Sequence, residues 1–155
     1  MTVKVVPISA EQADLLTQIG EGQFSDVKAK EIAPAKLANT ISALANSDGG
    51  DLYIGVLESL VGGGVKKRYW SGFKDVEAAN GFMQSFERLF PLGGDFQYEF
   101  LSSPGQTGLV LHVQVARTQA VVRAGDGIPY IRRGATNIPV STPDALRRHE
   151  YYKGV

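Results

Sequence analysis

The chain has no cysteine, so a disulfide framework, thiol catalysis and thiolate metal sites are excluded. It has two histidines, His112 and His149, far apart and without ligand-spaced partners, which speaks against a histidine-based zinc centre. No apolar run approaches the ~20 residues a membrane helix needs. The first residues, MTVKVVPISAEQ, lack the basic-then-apolar order of a signal peptide. These absences predict a soluble, cytoplasmic protein with no membrane partner. Net charge is missing too, because 16 basic residues balance 16 acidic ones. Total charge therefore draws the chain toward neither nucleic acid nor membrane, and a basic footprint has to arise from segregated charges. Gly49-Gly50 and Gly62-Gly63-Gly64 are not followed by Lys-Ser or Lys-Thr, and G-x-G-x-x-G and G-x-S-x-G are both lacking. Phosphate-cradling loops and a nucleophile elbow thus have no motif here.

What is present fits one domain over residues 1–155, with 43% hydrophobic and 21% charged residues; a chain of this size buries roughly 68% of its unfolded surface. Ser9-Ala10-Glu11-Gln12 reads as a capping box opening a short helix to about Ile19. Phe24 to Lys30 alternates as a short strand with charge on one face. Pro34 suits a first helical turn, and Leu37, Ile41 and Leu44 line one helix face until Asn46-Ser47-Asp48-Gly49-Gly50 stops it. Leu52 to Leu57 is apolar or small on both alternating sets, as in a strand covered on both faces. After Glu58 the chain reads as loose, with a flexible loop at 60–64. Val65 to Trp70 is a short strand carrying Lys66, Lys67 and Arg68 in a row.

A helix follows from Val76 to Phe90, ended by Pro91 and Gly93-Gly94. Phe96 to Leu101 and Leu109 to Val115 alternate with period two around a Pro-Gly turn, an antiparallel pair. Ala120 to Arg123 and Pro129 to Gly134 read as further short strands, and Thr142-Pro143-Asp144 opens a last helix. The architecture this predicts is α+β: a mixed, largely antiparallel sheet of about five or six strands with helices packed on it.

Three pieces stand out together: Glu21-x-x-x-x-Asp26-x-Lys28, then Ala45-Asn46-x-x-Gly49-Gly50-x-Leu52-x-Ile54-Gly55-Val56, then Tyr130-Ile131-Arg132-x-Gly134. In this order they resemble the AlbA_2 domain, the Schlafen AlbA_2-like DNA-binding type, over roughly Gly20 to Arg147. The resemblance implies nucleic-acid binding, to DNA or RNA. In Schlafen proteins a similar core is also a metal-dependent endonuclease on structured RNA with three acidic residues. Carried onto this chain, those positions fall on Glu21, Asp26 and Glu58, with Mg or Mn as the ion. The chain departs from that pattern at several points: Asp26 stands where Schlafen nucleases have Glu, Glu58 where they have Asp, and Leu57 where an aspartate commonly follows Gly-Val. The Schlafen core also joins two copies of the fold around one groove, so a comparable groove here implies a homodimer.

Read as chemistry, the three acids are either ligands of one hard cation, which takes one or two carboxylates plus water and phosphate, or surface acids paired with Lys28 and Lys30. The phosphate-gripping candidates are Lys28, Lys30, Lys66, Lys67, Arg68, Arg132 and Arg133, with Lys36, Arg147 and Arg148 as further cations. Arg132 and Arg133 alternate faces in a strand, so one of them at most points at a given ligand. Tyr69 and Trp70 beside the basic triplet are either base-stacking groups or, for Trp70, a cap on the core. A pure protein-interaction domain is the third functional reading.

Overall fold

The capping box closes as the sequence predicts: Gln12 N–H donates to Ser9 Oγ at 3.1 Å and Ser9 N–H to Gln12 Oε1 at 2.8 Å. The structure, a computed structural model, describes residues 3–19, 21–91 and 93–141, and among these the side chains of residues 60–62, 65 and 66 are left undescribed. In chain order the elements are β1 (Lys4–Pro7), α1 (Ala10–Ile19), β2 (Ser25–Lys28), α2 (Pro34–Ala45), β3 (Gly50–Ile54), β4 (Val56–Val61), β5 (Val65–Trp70), α3 (Asn80–Leu89), β6 (Phe96–Ser102), β7 (Val110–Val115), β8 (Tyr130–Arg133) and β9 (Thr136–Pro139). The expected last helix at Thr142-Pro143-Asp144, with Arg147, Arg148 and His149, lies outside the described residues.

Five strands form a sheet in the order β1-β6-β7-β3-β2, and β4-β5 and β8-β9 form separate two-stranded ribbons. The outer pairs β1–β6 and β2–β3 are parallel, while β3–β7, β6–β7 and both ribbons are antiparallel. The mixed, largely antiparallel α+β architecture is therefore the one expected. Period-two alternation sorts the side chains between two faces. Leu52, Ile54, Tyr98, Phe100, Leu111 and Val113 meet α2 and α3 in the main core. On the other face, Val27, Leu101 and Val110 meet Leu16 of α1, with Val56 beside them. Each aliphatic side chain so buried contributes roughly 1.5–3 kcal/mol.

Several expectations are corrected. The strand expected over Leu52–Leu57 breaks at Gly55, where φ is +118°, and the chain turns out of the sheet into β4. Apolar alternation continues on both sides of that glycine, so the pattern hides the break. The stretch after Glu58 is not loose: β4 continues to Val61, and a glycine turn at Gly62–Gly64 joins it to β5 in a hairpin. Ala120–Arg123 forms no strand beyond a single bridge between Arg123 and Pro129. Side chains satisfy the backbone there instead, because Val122 N–H donates to Asn46 Oδ1 at 2.8 Å and Val122 O accepts from Asn46 Nδ2 at 2.7 Å. The short N-terminal β1, mostly exposed, carries no pattern that announces it. Among the described residues, no helix is long and apolar enough to cross a membrane.

Candidate functional site

β2 is an edge strand, and the acid–base residues of the first motif gather on it. Lys28 Nζ lies 2.7 Å from Glu21 Oε1 and 3.4 Å from Asp26 Oδ1. Asp26 is buried, and Arg132 Nη1 lies 3.5 Å from its Oδ2. The Arg132 side chain is fully buried, although it belongs to β8. Its Nε donates to Gly22 O at 3.0 Å, its Nη2 to Ser25 O at 3.0 Å and its Nη1 to Asn137 Oδ1 at 2.7 Å. Arg132 therefore ties the β8–β9 ribbon to the start of β2, and its fully buried guanidinium is out of reach of a phosphate in solution. This corrects its place among the phosphate-gripping candidates. Arg133, next along the strand, is exposed.

The electrostatics follow from this packing. Burial pushes the Asp26 carboxyl up to about 6, and Glu21 beside it adds to the rise, against the opposing pull of Lys28 and Arg132. Burial also raises Glu21, but its hydrogen bond to Lys28 and that cation's charge outweigh the effect and hold it below the usual glutamate range. For Lys28, burial is outweighed by the two carboxylates, which raise its pKa.

Unfolded, Asp26 titrates near 3.8; folded, near 6. Between these values the folded chain keeps a proton that the unfolded chain has lost, so this residue's contribution to stability falls as pH rises from about 4 to about 6. Glu21 acts oppositely, adding stability above 4.5 that is lost as pH falls through its lowered folded pKa. Urea unfolding of wild type and Asp26→Asn at pH 4 to 7 should show the wild type losing ground to the variant by on the order of 2–3 kcal/mol across that range. A difference independent of pH would refute the assignment.

The three carboxylates do not assemble. The Lys28 ammonium contacts both Glu21 and Asp26, which also lie within hydrogen-bonding reach of each other. Glu58 lies on β4, where its Oε2 is 3.1 Å from Arg68 Nε. Among the described residues, no group of three or more His, Asp or Glu side chains is placed to hold a metal ion. The donor set thus does not fit the three-carboxylate centre that the resemblance implies.

Lys30 Nζ donates to Gly72 O at 2.9 Å, and Gly55 N–H to Lys28 O at 2.8 Å, so the β4–β5 ribbon leaves the sheet at the C-terminal end of β2. On the ribbon's outer face Leu57, Lys67 and Tyr69 are exposed, with Lys67 Nζ 5.4 Å from the centre of the Tyr69 ring. Arg68 faces the other way with Glu58, its register partner. The backbone of Lys66 lies in β5, but its side chain is outside the described set. Trp70 caps the second core cluster and donates from Nε1 to Gly108 O at 3.1 Å, so Tyr69 is the ring left for a ligand.

With this geometry in hand, comparison with known proteins is informative. The sequence matches the family described as Schlafen, AlbA_2 over residues 21–141. The chain belongs to the Schlafen AlbA_2 family. No curated protein sequence matches it. Among solved structures, it is similar to the N-terminal domain of a protein from Nitrosomonas europaea described as ATP-dependent DNA helicase RecG-related, with TM-score 0.56 and 19% identity over 70% of this chain and 72% of that one. It is also similar to the DIP2311 protein of Corynebacterium diphtheriae, with TM-score 0.53 and 18% identity over 81% of this chain, which spans 26% of that one. At such identities the likeness is one of fold. The AlbA_2 motif residues Asn46, Gly49, Gly50, Tyr130 and Arg132 prove to be architectural in this chain. Asn46 Nδ2 bonds Val122 O and Tyr130 O, and Ser42 Oγ accepts from Tyr130 N–H, so α2 clamps β8 in place. Sequence reasoning missed the partners of His112, which is buried between Glu99 and Asp51. The signal was the shared outward parity of Asp51, Glu99 and His112 on three strands, which points to a cluster only once the strand order is known.

Proposed function

We propose that this domain binds nucleic acid along its β2 edge, with the β4–β5 ribbon as the principal contact. The observation that carries the reading is the exposed Lys67–Tyr69 pair on the ribbon's outer face. A cation beside an open aromatic face suits a phosphate and an adjacent base. Family membership and the helicase-related description of one structural neighbour support the same reading. Lys28, Lys30 and Arg68 are half-buried and engaged by protein groups, so they set the local potential, whereas Lys67 and Arg133 are free to reach phosphates in solution. The metal-dependent ribonuclease reading is not adopted, because Glu21 and Asp26 are ion-paired with Lys28 and Arg132, and Glu58 with Arg68.

Fluorescence anisotropy with labelled single- and double-stranded oligonucleotides at rising salt tests the proposal. Affinity should fall steeply with salt. Lys67→Ala and Arg133→Ala should each make the logarithmic salt slope shallower by about one. Tyr69→Ala should cost ~1–3 kcal/mol on single strands, where bases are free to stack. A salt-independent affinity, or no binding at low salt, would refute the proposal and leave protein interaction as the remaining reading. Sedimentation in the same buffers reads whether two copies associate.

A further inference from the structure

Across the sheet from α2 and α3, a pocket of about 270 Å³ opens between α1 and the strands. Its walls are apolar: Leu15, Leu16 and Ile19 from α1, with Leu101 of β6. Leu15 and Ile19 are 62% and 51% exposed, which leaves one wall without a covering group among the described residues. The floor has a different chemistry. Tyr53 and His112, register partners on β3 and β7, stack with ring centres 4.4 Å apart. His112 Nδ1 lies 2.8 Å from Glu99 Oε1 and its Nε2 lies 2.7 Å from Asp51 Oδ1. Each ring nitrogen thus meets a carboxylate, and even a doubly protonated ring leaves this trio with one net negative charge. Burial pushes the Tyr53 phenol up to about 12, with Asp51 and Glu99 adding to the rise.

We propose that this pocket binds a small organic cation, an ammonium or guanidinium carried on an apolar body. The apolar part lies against Leu15, Leu16, Ile19 and Leu101. The charged head meets the Glu99 carboxylate, of which one oxygen is engaged by His112 and the side chain is 29% exposed. The face of Tyr53, whose ring stacks on His112, is the aromatic surface available beneath it. Charge complementarity selects against anions, and the mostly apolar wall selects against small hydrated metal ions. The pocket adjoins the ribbon through the cluster that Leu16 and Leu101 share with Val56 and Trp70, and the proposal does not depend on nucleic-acid binding.

The test is a titration of the isotope-labelled 155-residue chain with 2-phenylethylammonium, 2-phenylethanol and phenylacetate, followed by amide shifts. The ammonium should produce saturable shifts at Leu15, Tyr53, Glu99 and His112, with affinity at least about tenfold above the alcohol of the same shape. Glu99→Gln should bring ammonium and alcohol to within about twofold of each other. Leu15→Lys, at an exposed wall position that does not threaten folding, should weaken the ammonium selectively. Equal binding of ammonium and alcohol to wild type, preference for phenylacetate, or shifts that never saturate would each overturn the proposal.

Discussion

Arg132→Met should destabilise the domain by about 3–5 kcal/mol, measured as the change in unfolding free energy in urea at pH 7. Methionine comes close to the volume but not to the hydrogen bonds. It strands the carbonyls of Gly22 and Ser25 and the Asn137 side chain, all of which accept from the guanidinium. It also removes the cation beside buried Asp26. Part of the cost is specific to that charge, because a buried carboxylate without its partner is more expensive than either group replaced together. In an Asp26→Asn background the same change should therefore cost less, and the double-mutant cycle should return a coupling of at least about 1 kcal/mol. If Arg132→Met unfolds within 1 kcal/mol of wild type, the residue is not the tie between β8 and β2 described above.

This residue also shows where sequence reasoning runs out. Arg132 and Arg133 are identical in type and adjacent, and strand alternation correctly sends them to opposite faces. Which one goes inward depends on the neighbours of β8, which are α2, 84 to 88 positions away at its hydrogen bonds, and the start of β2, 107 to 110 positions away. The elements with strong periods were legible: α1 through its capping box, α2 through Leu37, Ile41 and Leu44, and the β6–β7 pair through alternation. The elements set by single long-range contacts were not. The path at Val122 is decided by Asn46, and the exit of β4 from the sheet by the backbone at Gly55. The acids illustrate the same limit, because the sequence left open whether Glu21 and Asp26 would pair with a lysine or share a cation, and could not show that Glu58 would meet Arg68 across a hairpin.

The glycine pair of the second motif leads to the other large effect. Gly50→Ala should cost about 3–5 kcal/mol, the sum of overpacking and backbone strain. A Cβ at this position would lie 2.3 Å from Phe24 O and 2.8 Å from Phe24 C, with φ at +153°. Phe24 O is not free to retreat, because it accepts from Asp51 N–H at 2.9 Å in the rung that starts the β2–β3 pairing. Making room therefore moves the first residues of β2 and, with them, Asp26, Lys28 and the Ser25 carbonyl that holds Arg132. The loss should appear in two readouts: a lower urea midpoint, and faster hydrogen exchange at Asp51 than at β6 or β7 amides, since the edge strand opens first. Gly81→Ala makes the contrast. Gly81 lies exposed inside α3 with nothing within 4 Å of a Cβ, so alanine should stabilise by about 0.5–1 kcal/mol. Two substitutions of the same kind would then differ in sign because one glycine faces a carbonyl and the other faces water. A Gly50→Ala variant within 1 kcal/mol of wild type would mean that β2 is not locked against β3 by this contact, and the acid–base cluster would lose the element that holds it in place.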